Sequence, residues 1–407
     1  MKKTFTLFTT LFILFLSISS NFVNAKDAPP KVSAYGAILM DATTGTILYE
    51  KSIDKPYAPA STTKIMTALL TLENCKLDDI VTVGKKPPLA DGSKIFIYEN
   101  EKLKVKDLLY ALLLESANDC AEALAEHIGG SIENFAKLMN ERAKELGCKN
   151  TNFVNPSGLY DDKHRTTARD LALIMREVVK HPEYTKISTA ISYKIAPTNK
   201  CKKTRPLWNK NKLIQNSSTY YYEGCEAGKT GYTIQSEHSY VASATRNDER
   251  LILALIHDKN KTFFPDAIKL FNYGYNNFEL VKMYSKGDIV STYNNKDLNI
   301  NLLANDDFYY IKNKKDPSEA SVILDKKDLS SLSFKKGDNI STASIILKDK
   351  SIGTLNLSSD SDHIITSYKF LNNKITSSKT LTIIISLTLC IIVIASIIKL
   401  KKRKANN

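Results

Sequence analysis

Three short strings stand in one order along this 407-residue chain: Ser61-Thr62-Thr63-Lys64, Ser116-Ala117-Asn118 and Lys229-Thr230-Gly231. The first sets a hydroxyl and an amine three residues apart, which on a helix places them on one face, about 5–6 Å apart at Cβ. A serine hydroxyl is a poor nucleophile at neutral pH, so something must take its proton. Lys64 can do so only as a neutral amine, which requires burial or a nearby positive charge, and Lys229 is a source of that charge. The second string offers a hydroxyl that can relay a proton to a leaving amine and an amide that can hold a substrate backbone. In the third, Lys229 and Thr230 can bind a carboxylate, and Gly231 lets an extended peptide approach a strand closely. The backbone N–H groups of Ser61 and Tyr232 complete the set as an oxyanion hole, where one donor is typically worth roughly 2.7–4 kcal/mol of transition-state stabilisation. Taken singly, the strings are more often a helix cap beside a surface lysine, a helix-break turn and a hairpin turn. All three in order point to serine acyl transfer.

Such side chains need rigid elements to hold them. Residues 61–73 have apolar Ile65, Ala68, Leu69 and Leu72 at helical spacing, which predicts a helix with Ser61 in its first turn. A helix from about 105 to 114 leads into Ser116, and an alanine-rich helix resumes over 119–128. Another amphipathic helix is predicted over 131–146. Asn155-Pro156-Ser157-Gly158 reads as a turn, and Thr167-Ala168-Arg169-Asp170 as a capping box opening a helix through Val179. A hairpin is expected at 33–51 and two strands at 239–245 and 251–256, with the Lys229 segment as a further strand of the same sheet. Strands at both ends with helices between them predict a mixed α/β domain over 26–275. From 276 to 370 short alternating runs predict a small all-β domain, followed by a polar stalk at 371–379.

The two ends carry topology signals. Lys2 and Lys3 precede an apolar run, and Val23-Asn24-Ala25 fits a small-residue cleavage site, so 1–25 reads as a secretory signal peptide, with an uncleaved anchor as the alternative. Residues 380–398 form an uncharged apolar run that nearly spans a ~30 Å hydrocarbon core. The basic segment 399–407 follows, which by the positive-inside rule makes it a cytoplasmic tail and places 26–379 outside the cell membrane. The net charge is +14, and the basic residues at the two ends account for half of it. The remainder reads as a solvated basic face rather than a nucleic-acid surface. Six cysteines and six histidines show no metal-ligand spacing, so neither a metal nor another cofactor is expected. A bridge between Cys201 and Cys225 stays open.

The strings and their surroundings resemble the low-molecular-mass penicillin-binding proteins, the serine-type D-alanyl-D-alanine carboxypeptidases. Ala58 to Thr67 is similar to that family's nucleophile segment, Leu112 to Asp119 to its second motif and Glu226 to Thr233 to its third. Asn155 to Leu159 and Thr167 to Asp170 resemble intervening segments. The resemblance implies a β-lactamase/DD-peptidase-like fold with an antiparallel sheet flanked by helices, then a small all-β domain; that family often ends in an amphipathic anchoring helix, whereas the apolar run here is long enough to be a C-terminal transmembrane helix. It implies that Ser61 is the nucleophile, Lys64 the general base and Ser116 a proton relay beside Asn118. Lys229, Thr230, Gly231, Arg250 and the Tyr232 backbone would bind substrate. Peptidoglycan stem peptides are the implied substrate, β-lactams the implied inhibitors, and the membrane the third partner. Arg205 lies in the poorly matching segment 195–224 and is not assigned a role. A β-lactamase would use the same strings but should add a deacylating carboxylate in a Glu-x-x-Leu-Asn string, and none occurs in 119–228. A membrane β-lactam sensor would need a sizeable cytoplasmic domain, and a catalytically dead wall-binding module is opposed by the presence of every motif side chain that carries chemistry.

Overall fold

The computed structural model describes residues 28–365 and 378–404. The expected signal peptide, most of the expected stalk and the last three residues lie outside the described residues. The described chain divides into two compact units, one up to Leu280 together with Ile311–Asp316, the other Val281–Tyr310 with Pro317 onward.

The first unit is built on a five-stranded antiparallel sheet of β1 (Gly36–Asp41), β2 (Ile47–Lys51), β3 (Cys225–Thr233), β4 (Glu237–Arg246) and β5 (Glu249–Asp258). Their order across the sheet is β2-β1-β5-β4-β3, so the first and last thirds of the domain meet where β1 pairs with β5. Side chains alternate along both of these central strands. Ile38, Ile252, Ala254 and Ile256 join one core with the helices between β2 and β3, while Leu39, Leu251, Leu253 and Leu255 join a second core on the other face. Burial on both faces explains why these strands read as nearly continuous apolar runs.

Between β2 and β3 come α1 (Lys64–Asn74), α2 (Val105–Tyr110), α3 (Asn118–Gly129), α4 (Ile132–Glu145), α5 (Ala168–Val178) and α6 (Pro182–Ser188). α5 packs across β1 and β5 on one face, and α7 (Phe263–Asn277) covers the opposite face. The predicted cap of α5 is half a capping box. Thr167 Oγ1 accepts from the Asp170 N–H at 3.1 Å, but the Asp170 carboxylate turns away to accept from the backbone N–H of Asn150 and the Thr151 hydroxyl. It therefore ties down the loop before the helix instead of closing the box.

One expectation needs correction. The helix predicted from about 105 to 114 is α-helical only to Tyr110, then widens into a π turn over Ala111–Glu115. Segment 195–224, poorly legible in sequence, begins on a short ribbon in which Ser192–Ile195 pairs with Arg205–Trp208. Arg205 is structural, since its guanidinium forms an ion pair with the fully buried Glu101 at 2.8 Å.

The second unit contains a five-stranded antiparallel sheet of Ile289–Asn294, Asn299–Ala304, Ser321–Leu324, Asn339–Leu347 and Lys350–Ser359, with its own apolar core around Leu302, Phe334, Ile345 and Leu357. The fold class is thus mixed α/β followed by an all-β domain. A last helix, Ser378–Lys404, contains an 18-residue stretch, Thr382–Lys399, long and apolar enough to cross a membrane.

Candidate active site

Ser61 lies in a single 3₁₀ turn, Ala60–Thr63, that feeds directly into α1. The turn is pinned by its own hydroxyls. Thr62 Oγ1 donates to Pro59 O and Thr63 Oγ1 to Ala60 O, each at 2.8 Å. Ala60 itself sits at φ +50°, a left-handed conformation that costs a non-glycine residue roughly 1–2 kcal/mol. The strain is held from outside by close backbone packing. Gly158 is at φ +82°, and a Cβ there would overlap the carbonyl oxygen of Ala60; a Cβ on Gly231 would come within 2.9 Å of the Ser61 nitrogen.

Lys64 opens α1 and is completely buried. Its Nζ lies 3.0 Å from Ser61 Oγ, 2.6 Å from Asn118 Oδ1 and 2.6 Å from the carbonyl oxygen of Ser157. Burial first, and then the positive charge of Lys229, drive its pKa well below the ordinary lysine value; Asp119 opposes them weakly. A neutral amine has two N–H groups and one lone pair. The two carbonyl-type oxygens take both N–H groups, so the lone pair is left for the hydroxyl of Ser61.

The π turn places Ser116. The turn ends at φ +62° for Ser116, and α3 starts two residues later at Asn118. Lys229 Nζ donates to Ser116 Oγ at 3.0 Å and to Thr230 O at 2.8 Å. Lys229 is buried on β3, and its pKa falls to about 7, through desolvation first and repulsion from Lys210 second. The Asn118 amide spans the gap between two chain segments, accepting from Lys64 and donating to Asp91 O at 2.6 Å. The Asp91-Gly92 loop, seen in sequence only as a break, therefore braces the second string.

These groups meet in one cleft of about 780 Å³ that Ser61, Ser116, Thr230, Gly231 and Tyr232 line. The structure thus brings eight of the nine expected residues together. Arg250 is the exception and is a correction. It stands at the end of β5 paired with Thr245, and its guanidinium is taken up by Glu226 and the Val179 carbonyl. It lines a separate hollow with Thr43, Arg176 and Lys180. A strand position does not reveal which end of the sheet a side chain occupies. The same holds for the bridge left open between Cys201 and Cys225, because both thiols are free.

Sequence reasoning missed the cations that ring the cleft, Lys210, Lys212 and Lys261, and its aromatic wall of Tyr220, Phe263 and Phe264. No local pattern marks them. It also missed His164, buried under the turn that carries Ser61. The Val154 N–H donates to His164 Nδ1 at 3.1 Å, which places the ring proton on Nε2, 2.9 Å from Thr63 Oγ1. Burial lowers its pKa to about 4, so the ring is neutral. Among the described residues lining the cleft, none is Asp or Glu.

Residues 23–260 match the family described as D-alanyl-D-alanine carboxypeptidase, peptidase S11, and residues 278–363 match the penicillin-binding protein 5 C-terminal domain. D-alanyl-D-alanine carboxypeptidase DacF of Bacillus subtilis is 34% identical over 63% of this chain and 66% of its own length, just under two thirds. DacD of Escherichia coli is 30% identical over 81% of this chain and 87% of its own. Among solved structures, penicillin binding protein 5 from Haemophilus influenzae superposes with a TM-score of 0.71 at 31% identity, over 82% of this chain and 98% of that one. Since the family match runs unbroken through all three strings, from Ser61 to Gly231, the chain belongs to the D-alanyl-D-alanine carboxypeptidases, serine hydrolases of the low-molecular-mass penicillin-binding class.

Proposed function

We propose that the protein removes the terminal D-alanine from peptidoglycan stem peptides ending in D-Ala-D-Ala, through an ester on Ser61. Lys64 takes the hydroxyl proton as Ser61 Oγ attacks the carbonyl of the penultimate residue. The oxyanion is held by the N–H groups of Ser61 and Tyr232. As the C–N bond breaks, the proton passes from Lys64 through Ser116 to the departing amine. The carboxylate of the leaving D-alanine is held by the Thr230 hydroxyl and the charge of Lys229, with Lys210 and Lys261 adding positive potential at the rim. Water then hydrolyses the ester, with Lys64 as base again, and Ser61 is restored.

The observation that carries this reading is the Lys64 amine, buried, depressed in pKa and bound by two carbonyl-type oxygens so that its free valence faces Ser61. The cleft's lack of an acidic residue favours a carboxypeptidase over a β-lactamase, which needs a carboxylate to deacylate rapidly. β-Lactams are accordingly long-lived acylating inhibitors. Residues 1–25 direct export, and the terminal helix anchors the enzyme with its basic tail on the cytoplasmic side. D-Alanine release from a D-Ala-D-Ala peptide by the detergent-solubilised chain, beside Ser61→Ala, tests the reaction. Release lost in the variant supports it; covalent penicillin binding without release would instead indicate a sensor or a transpeptidase lacking its acceptor.

A further inference from the structure

The chain has a single tryptophan, and it is exposed. Trp208 ends the short ribbon next to the cleft, 61% exposed, with Ile191 beside it at 49%. Its backbone is fixed. The Trp208 N–H donates to Glu115 Oε1 at 2.7 Å, and Glu115 immediately precedes Ser116. The next residue, Asn209, is buried and donates its side-chain amide to Ser188 O and Ala190 O. A rigid shelf therefore presents an indole ring that has no packing duty to explain its exposure. Among the described residues, its ring N–H has no hydrogen-bond partner.

The shelf is one wall of a groove of about 700 Å³, completed by Thr189, Gln215, Asn216 and Ser217. None of the residues lining it carries a charge, whereas the neighbouring cleft is ringed by Lys210, Lys212 and Lys261. The strip Trp208–Lys212 separates the two, with Trp208 and Asn209 lining the groove and Lys210 and Lys212 lining the cleft. An anionic peptide end fits the cleft. A neutral ligand with a flat apolar face and a hydroxylated edge fits the groove, because an aromatic ring accepts the former while amides and hydroxyls bind the latter. Pyranose rings bearing acetamido and hydroxyl groups have that chemistry. A stem of four residues in extended form reaches roughly 13 Å.

We propose that this groove is a saccharide subsite that takes the uncharged N-acetylated sugar strand from which the stem peptide hangs. The identity of the ligand rests on the carboxypeptidase reading; the groove itself does not. The subsite gives the enzyme a preference for stems still attached to glycan over free peptides.

The lone tryptophan makes the test direct, since all indole emission comes from this groove. Full-length protein in detergent is titrated with a β-1,4-linked N-acetylglucosamine tetramer while tryptophan fluorescence is followed. A saturable change is expected. Next, kcat/KM is measured for a stem peptide linked to its disaccharide and for the same peptide free. Trp208→Ala should reduce the ratio of the two about tenfold, the scale of one good aromatic contact. Asn216→Ala should reduce it by less, and the rate of penicillin acylation reports that each variant is folded. No fluorescence response, or a saturating response with an unchanged ratio in both variants, overturns the proposal. If the sugar saturates Trp208 but no peptide is cleaved, the carboxypeptidase reading fails while the saccharide site stands. If peptides are cleaved and Trp208 is silent, the reverse holds.

Discussion

The amine of Lys64 is hydrogen-bonded at 2.6 Å to the carbonyl oxygen of Ser157, a residue 93 positions further along the chain. This backbone oxygen helps decide which valence of the amine faces Ser61. It is held in turn by the Asn155 side chain, whose Oδ1 accepts from the N–H groups of Ser157 and Gly158. The proposed general base is therefore oriented by a turn.

That arrangement predicts a severe effect from Gly158→Ala. The added methyl group meets Ala60 O, and φ +82° is unfavourable for alanine. We expect a loss of at least about 2 kcal/mol in stability and a fall in acylation on the order of 100-fold. Thermal melting and the rate of fluorescent penicillin labelling measure the two effects separately. Unchanged labelling would disconnect the turn from catalysis.

Lys64→Arg puts a permanent cation where the neutral amine stood and so forfeits the base, because a guanidinium does not give up its proton in this pH range. D-Alanine release and penicillin labelling should both drop by roughly 10²–10⁴. A variant labelled at the normal rate would show that Lys64 is not the base.

The pH profile should be bell-shaped. Lys64 must be neutral, which sets the acid limb, and Lys229 must be protonated to attract a carboxylate, which sets the alkaline limb. Because kcat/KM reports the free enzyme, its alkaline limb follows the empty-cleft Lys229, lowered to about 7. A bound carboxylate raises that pKa, so the limb in kcat should lie higher. Lys210→Met removes a repelling charge and should shift the kcat/KM limb upward. An alkaline limb at the same pH in wild type and variant would count against this assignment.

His164 predicts how stability responds to acid. Its folded pKa, about 4, lies below the ordinary 6.5, so folding prefers the neutral ring. The contribution is complete above pH 6.5, is lost as the pH falls from 6.5 towards 4, and changes no further below that. The loss is on the order of 3 kcal/mol at most. Urea unfolding across this range should show a steeper decline in wild type than in His164→Gln. Parallel declines would place the acid sensitivity elsewhere.

Much of this was legible in sequence where the signal is local. The helix behind Ser61 announces itself through Ile65, Ala68 and Leu69, and Thr167 announces a cap. The site's deeper architecture was not local. Nothing in Ala111-Leu112-Leu113-Leu114 distinguishes a π turn from an ordinary helix; the added backbone width makes sense only once Ser116 must reach Lys229. Arg250 was misplaced because it rested on the family resemblance alone, which did not say at which end of the sheet the side chain stands. Lys210 and Lys261 come together only after the ribbon and α7 have packed, and His164 looked idle because it binds backbone and a hydroxyl rather than a metal.

The two glycines that grip the turn carrying Ser61 have a consequence for resistance to acylating drugs. With Gly158 against Ala60 on one side and Gly231 against Ser61 on the other, the depth of the serine is a property of main chain touching main chain. Mutation has no side chain there to trim, and any it adds pushes the turn out of reach of peptide and drug alike. Variants that escape an inhibitor while keeping their natural reaction must therefore arise at the rim, among residues such as Tyr220, Phe263 and Lys261, where a bulky drug and a slender peptide end meet different atoms.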